Sequence, residues 1–200
     1  MIVYFLKCLV KKLEKENKII DFNNAITIFR SIFNARFKDT RKNVFIDATC
    51  GNGEDTLFLA QLGFVYSFDI QAEAIERTKD KLTTENSVRL IFDSHEKIDY
   101  YIKEKIDGAI FNLGYLPRGN KKITTKAKST IVALNKILKI LNKNGIVLLI
   151  IYPGHQEGKK EEESLHSFLT ALNQKEFITM SWKYLNRINN SPYPILIEKI

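Results

Sequence analysis

Cysteine is scarce in this chain: 200 residues hold two, Cys8 and Cys50. Two thiols so far apart in sequence make neither a disulfide framework nor a zinc ligand set, and they suit a reducing compartment. Proline and glycine are also sparse, at four and nine residues. With 44% hydrophobic and 27% charged residues, that excludes a disordered or low-complexity chain. A chain of this size buries about 70% of its unfolded surface on folding and needs no covalent staple. Long apolar runs are missing too. The longest, Ile146–Ile151, is far short of the ~20 residues of a membrane span. The opening MIVYFLKCLVKKLEKEN places its lysines after a short apolar stretch, whereas a secretory leader has them before it. The expectation is a cytoplasmic protein with no membrane partner.

Acidic side chains are absent from one whole section. Between Gly108 and Gln156 there is no Asp or Glu, while Arg118, Lys121, Lys122, Lys126, Lys128, Lys136, Lys139 and Lys143 all fall there. That section accounts for the formal charge of +8 and points to an anionic partner such as nucleic acid. A plain solvated lysine face is the competing reading.

After residue 43, β-rich apolar runs alternate with helical patterns. Strands are expected at Val44–Ala48, Phe64–Asp69, Ser87–Phe92, Gly108–Asn112 and Gly145–Tyr152, with helices near 55–62, 71–84, 95–105 and 125–143. In the last helix, Ile131, Leu134, Ile137, Leu138 and Leu141 share a sector of about 120°, opposite the lysines. Such alternation builds βαβ units around a parallel sheet covered on both faces. A helix near 158–174 precedes two further strands, Phe177–Leu185 and Tyr193–Lys199. The short NRINNSP turn between them requires an antiparallel pair. The expected fold is α/β: a Rossmann-like three-layer sandwich of the class I methyltransferase type. Its sheet has seven strands, mostly parallel, with one antiparallel. Residues 1–40 read as a helical extension of two helices, and residues 41–200 as the main domain.

The first strand runs into Asp47-Ala48-Thr49-Cys50-Gly51-Asn52-Gly53-Glu54-Asp55-Thr56. Glycines let the chain turn sharply beside a ligand, and the following helix presents free N–H groups. A dinucleotide fingerprint needs a third glycine, but Thr56 stands there and an acid precedes the turn. That pattern resembles motif I of S-adenosylmethionine (SAM) enzymes. The second strand ends in Asp69-Ile70-Gln71, where an acid can accept both ribose hydroxyls. The third ends in Asp93-Ser94-His95, at the distance expected for groups near an adenine. Three acids at successive strand ends are more than scattered helix caps.

The fourth strand leads into Asn112-Leu113-Gly114-Tyr115-Leu116-Pro117, and the fifth into Tyr152-Pro153-Gly154-His155. Together with DATCGNGEDT, FDIQ and DSHE, these segments resemble the bacterial methyltransferases that N-methylate 5-aminomethyl-2-thiouridine at the tRNA wobble position. That family has also been grouped with ribosomal RNA methylases. The resemblance runs from about Asn43 to Lys199, with departures at Glu54, Arg118 and Asn120. It implies SAM as cofactor and the tRNA anticodon stem-loop as partner, with a homodimer left open. Cofactor contacts would come from Asp47, Thr49, Gly51, Asn52, Gly53, Asp55 and Thr56, from the two later acidic segments, and from Asn112. Gly114, Arg118, Lys121, Lys122, Asn186 and Asn189 would face RNA.

Other chemistries fit less well. Methylating carbon 5 of a pyrimidine needs a cysteine nucleophile, and neither cysteine follows the fourth strand. A metal-assisted enzyme would need clustered carboxylates where this chain has none, so no metal is expected. A primary amine needs only to be neutral, desolvated and aligned. Asn112, Tyr115, Tyr152 and His155 are the candidates for that work. The alternatives left open are a ribosomal RNA or small-molecule amine methyltransferase, and a noncatalytic protein that binds cofactor or RNA.

Overall fold

The computed structural model describes residues 25–37, 42–82, 87–114, 125–154, 156–187 and 191–200. The expected first helix, Tyr115, Arg118, Lys121, Lys122, His155 and Asn189 lie outside the described residues.

Seven strands form one sheet: β1 (Val44–Asp47), β2 (Phe64–Asp69), β3 (Val88–Phe92), β4 (Ile106–Asn112), β5 (Leu141–Ile151), β6 (Phe177–Ser181) and β7 (Tyr193–Lys199). The described helices are α1 (Ala25–Arg36), α2 (Glu54–Ala60), α3 (Ala72–Lys79), α4 (Ile98–Tyr101, after a 3-10 turn at His95–Lys97), α5 (Ala127–Ile140) and α6 (Gln156–Thr170). Strand order is β3-β2-β1-β4-β5-β7-β6. β7 runs antiparallel to both of its neighbours, and the other pairings are parallel. This is the class I methyltransferase architecture.

Both faces of the sheet are covered, which is why its inner strands read as unbroken apolar runs rather than alternating ones. Period-2 geometry still sorts their side chains. Phe45, Val65, Ile110, Leu148 and Ile150 pack with Phe29, Ile32 and Phe33 of α1 and with Phe58 and Leu59 of α2. Ile46, Phe68, Phe111, Leu149 and Ile151 join Leu134, Ile137 and Leu138 of α5 and Leu165 of α6. The second expected N-terminal helix is therefore part of the main core. Arg36, near its end, donates to the Asn144 carbonyl at 2.9 Å and pairs with Glu198 of β7 at 2.5 Å.

Several boundaries differ from the sequence reading. β6 stops at Ser181, four residues early, and Trp182–Arg187 lie outside any strand. α5 ends at Ile140, not 143, and the chain passes at once into β5. Leu141 is buried there opposite Ile106, so its burial satisfies a strand as well as a helix. Asn144 then takes φ 64°, and the register slips between Ile106 and Gly108. That bulge lets β5 resume its pairing with β4 at Ile146.

From β1 the chain winds outward to β2 and β3, then returns to β4 on the other side of β1. Strand order reverses between β1 and β4, which opens a crevice at their C-terminal ends.

Candidate active site

The crevice begins where β1 ends. The turn after Asp47 carries Gly51 at φ 55° and Gly53 at φ 81°, left-handed conformations that favour glycine. At Gly53 a Cβ would also meet the Thr78 side chain at 2.8 Å. The turn is tied to β2 by Gly51 N–H donating to Asp69 Oδ2 at 2.9 Å. Asp69 Oδ1 accepts from Gln71 N–H, also at 2.9 Å. Burial holds the Asp69 carboxyl above its ordinary range, partly offset by these N–H bonds. Each oxygen keeps a lone pair for a further donor. Ile70 beside it is 54% exposed, an apolar surface on the rim.

Two of the residues expected to contact cofactor are held inside the fold. Asp47 and Thr56 are wholly buried. Thr56 Oγ1 donates to Asp47 Oδ2 at 2.6 Å and lies 2.7 Å from Ser67 Oγ, so Ser67 must donate to it. Asp47 Oδ1 accepts from Thr49 N–H. Both residues brace the turn from beneath. Burial, and then the charge of Asp55, push the Asp47 carboxyl up to about 7.

The third acidic segment has local duties. Asp93 accepts from Lys97 Nζ at 2.8 Å and Tyr101 Oη at 2.7 Å, and these bonds hold its carboxyl below the usual range. Ser94 caps the turn of His95–Lys97. His95 points inward, with Nδ1 2.9 Å from the Ala48 carbonyl. A carbonyl only accepts, so Nδ1 carries the proton, and burial keeps the ring neutral. Asn52 receives Arg77 at 3.0 Å on its side-chain oxygen.

β4 delivers Asn112 to the opposite wall. Its backbone N–H donates to Thr49 Oγ1 at 2.7 Å, stitching β4 to the turn after β1. Its side-chain Nδ2 donates to Asp55 Oδ2 at 3.2 Å. Asp55, expected to touch cofactor, is buried and committed to Asn112 and to Arg30, whose Nη2 donates to Oδ1 at 2.9 Å. An ionised carboxylate only accepts, so the amide must face it with nitrogen and turn its oxygen away.

Beyond Asn112, Gly114 (φ 130°) and Thr125 close a loop at its base. Thr125 N–H donates to Gly114 O, and Gly114 N–H donates to Thr125 Oγ1, both at 2.9 Å. Thr125 Oγ1 in turn donates to Glu161 of α6, which also accepts from Thr130. Tyr152, half-buried at the end of β5, would lie 3.8 Å from a Cβ on Gly114. Asn186 is exposed beyond β6. Arg30, Thr125 and Ser67 had no motif to announce them.

Residues 65–198 match the family model described as "Putative rRNA methylase". The chain belongs to this family. Among similar proteins, the chloroplastic tRNA (mnm5s2U34)-methyltransferase of Arabidopsis thaliana is 36% identical over 159 residues, 71% of this chain. The match spans 58% of that protein's length, so the chain covers less than two thirds of this relative. A crystal structure described as a "putative rRNA-methylase" from Clostridium thermocellum is 39% identical with a TM-score of 0.85, covering 90% of this chain and all of that one. A crystal structure described as a "putative methyltransferase" from Streptococcus mutans, in complex with SAH, is 36% identical with a TM-score of 0.81. It covers 88% of this chain and 98% of the other.

The crevice of this methylase-family chain suits an adenosyl sulfonium. Asp47, Asp55 and Asp69 gather around the turn, and the first of them feels the charge of the other two. With Asp55 paired to Arg30 and Asp47 pushed up to about 7, the negative field comes chiefly from Asp69, and it favours a ligand bearing an ammonium and a sulfonium over a pyrophosphate. Asp69 would take the ribose hydroxyls, Ile70 would pack on the adenine, and the Gly51–Gly53 backbone would face the aminocarboxylate end.

Proposed function

We propose that this chain is a SAM-dependent methyltransferase that N-methylates the aminomethyl group of 5-aminomethyl-2-thiouridine at the tRNA wobble position. The Arabidopsis relative carries that activity in its name, and the Streptococcus mutans relative holds the demethylated cofactor. The observation that carries the reading is the Asn112 amide at the C-terminal end of β4, whose nitrogen is held by Asp55, which leaves its oxygen as the acceptor end.

When bound, SAM supplies a methyl on a cationic sulfur; the amine forms the N–C bond as the C–S bond breaks, and the resulting ammonium loses its proton to water. Asn112 Oδ1 accepts an N–H of the neutral amine and aims its lone pair. As an uncharged acceptor, it does not trap the amine as an unreactive ammonium. Tyr152 offers a ring for the base, since every base has a π face. Cys50 takes no covalent part. It is buried against Thr78 and Thr56, and burial with the Asp47 charge pushes its thiol up to about 11.

RNA would approach over the acid-free section. Lys126 and Lys128 are exposed at the start of α5, next to the segment that carries Arg118, Lys121 and Lys122. Farther along, Lys136 is spent on Asp99 at 2.6 Å and does not extend that surface. The deciding experiment is nucleoside mass spectrometry of tRNA bearing the aminomethyl base, incubated with the purified chain and SAM. A gain of about 14 Da on the wobble uridine carries the reading, because one methyl replaces one hydrogen. Methylation confined to ribosomal RNA or to a free amine overturns it.

A further inference from the structure

We propose that Arg30 is a positioning residue for methyl transfer: through Asp55 it orients the Asn112 amide and cancels the charge beside the acceptor amine. The inference rests on the amine-methylation reading above and extends it to a residue on a helix outside the motifs.

Three side chains from three elements stand in line. Arg30 on α1 donates from Nη2 to Asp55 Oδ1 at 2.9 Å and to the Glu54 carbonyl at 3.0 Å. Its guanidinium also lies 5.2 Å from the Phe58 ring centroid, which fixes its plane. Asp55 Oδ2 holds Asn112 Nδ2 at 3.2 Å. The Asp55 side chain is 8% exposed and that of Arg30 is 32% exposed. Their interaction is therefore weakly screened on the carboxylate side.

The pair does two things for Asn112. It fixes which end of the amide faces the crevice, because a carboxylate accepts and cannot donate. It also sums to zero charge. A lone carboxylate at this position would favour the protonated form of a nearby amine, and a protonated amine has no lone pair to give.

The other charged groups around Asp55 do not replace Arg30. Asp69, at the end of β2, adds negative charge, and Asp47, below the turn, supplies no cation. Glu54 faces outward to Lys81 at 2.7 Å. Arg77 donates to the side-chain oxygen of Asn52, and Lys81 Nζ donates to its backbone carbonyl. His95 is neutral in the core.

The test is single-turnover methylation of aminomethylated tRNA at saturating SAM, from about pH 6.5 to 9.5, where an amine crosses from protonated to free. Arg30→Met should slow the reaction about tenfold at pH 7 and move the acid limb about one unit upward, recovering most of the rate at the alkaline end. Arg30→Lys should keep the parent midpoint. Asp55→Asn, which leaves the guanidinium uncompensated, should move the midpoint downward. A loss by the same factor at every pH in Arg30→Met and Asp55→Asn would overturn the proposal, because a purely structural role predicts that result.

A second readout needs no turnover. The side-chain amide NMR signal of Asn112, assigned by its loss in Asn112→Ala, should move in Arg30→Met and return in Arg30→Lys. An unmoved signal overturns the relay, whatever the substrate. A moved signal with no methyl transfer by the parent enzyme supports the relay and sinks the amine reading alone. If Arg30→Met does not fold, Asp55→Asn carries both measurements.

Discussion

Thr125 Oγ1 donates to Glu161 Oε2 at 2.9 Å while it accepts the N–H of Gly114, so one hydroxyl joins α6 to the base of the loop that follows Asn112. The second carboxylate oxygen of Glu161 takes Thr130 at 3.0 Å, and the residue is buried. Glu161→Ala leaves two hydroxyls without their acceptor, at about 1–3 kcal/mol for the buried Thr130 and less for the partly exposed Thr125. The expected outcome is a lower melting temperature and a raised KM for RNA, with SAM affinity unchanged. Equal effects on RNA and SAM would show that Glu161 serves the fold generally and not this loop.

Asn112→Ala should bind SAM but lose turnover by ~10²-fold, as for loss of one transition-state hydrogen-bonding group. Asn112→Asp should also be poor, and its remaining activity should rise more steeply with pH than the parent's, because a carboxylate stabilises the ammonium. Single-turnover rates across the pH range check both. Parent-like rates in the two variants would leave Tyr152 and His155 as the acceptor-site candidates.

At the cofactor end, Asp69→Ala should weaken SAM binding by ~1.5–3 kcal/mol, the usual worth of hydrogen bonds to a charged group. The change also removes the acceptors for Gly51 and Gln71 N–H, so part of the loss is disorder in the turn. Titration calorimetry on folded protein measures it. Unchanged affinity would remove Asp69 from the ribose position.

The buried Asp47 makes a prediction about pH and stability. Its carboxyl is raised to about 7 by burial, so from about pH 4 to 7 the native chain keeps a proton that the unfolded chain has released. Stability from this group is fully present below that window and is lost as pH rises through it. Asp47→Asn stays neutral and should flatten that decline, whatever its absolute stability. Urea melts of parent and variant from about pH 4.5 to 8 give the comparison. Parallel slopes would mean that Asp47 is ionised throughout.

For RNA, replacing Arg118, Lys121 and Lys122 by Ala should weaken tRNA binding and lower the slope of log affinity against log salt by up to about three charges' worth. SAM affinity should hold. Identical slopes in parent and variant would place the phosphate contacts elsewhere, with Lys126 and Lys128 the next to change.

The sequence was most legible where a single physical demand acts. β2 and β7 have the expected limits, because turn residues bound runs that are buried along most of their length. The acids at the ends of β1, β2 and β3 are where the alternation put them. What sequence could not show was which of these acids are roofed over. Asp47 and Asp69 occupy equivalent strand ends, yet one is sealed beneath Thr56 and Ser67 and the other stays partly exposed. Arg30 was hidden for a related reason. Beside Phe29, Ile32 and Phe33 it reads as the polar edge of an amphipathic helix, and its partner Asp55 is 25 residues away. At Trp182–Leu185 the apolar pattern ran on after β6 ended, with the Trp182 N–H bond to the Pro194 carbonyl the last backbone link to β7 there, since aromatic residues suit a loop as well as a strand.

β7 lies between β5 and β6 although it follows both in the chain, and Glu198 on it secures Arg36 of α1 across 162 positions. During synthesis, β6 must therefore wait unpaired until β7 clears the ribosome and slots in beside it. The same arrival anchors the helix that carries Arg30. A nascent chain can assemble the cofactor turn from β1, β2 and β4 well before that point. The clamp on Asn112 would be completed last, so a growing chain would gain its nucleotide cradle before its catalytic alignment.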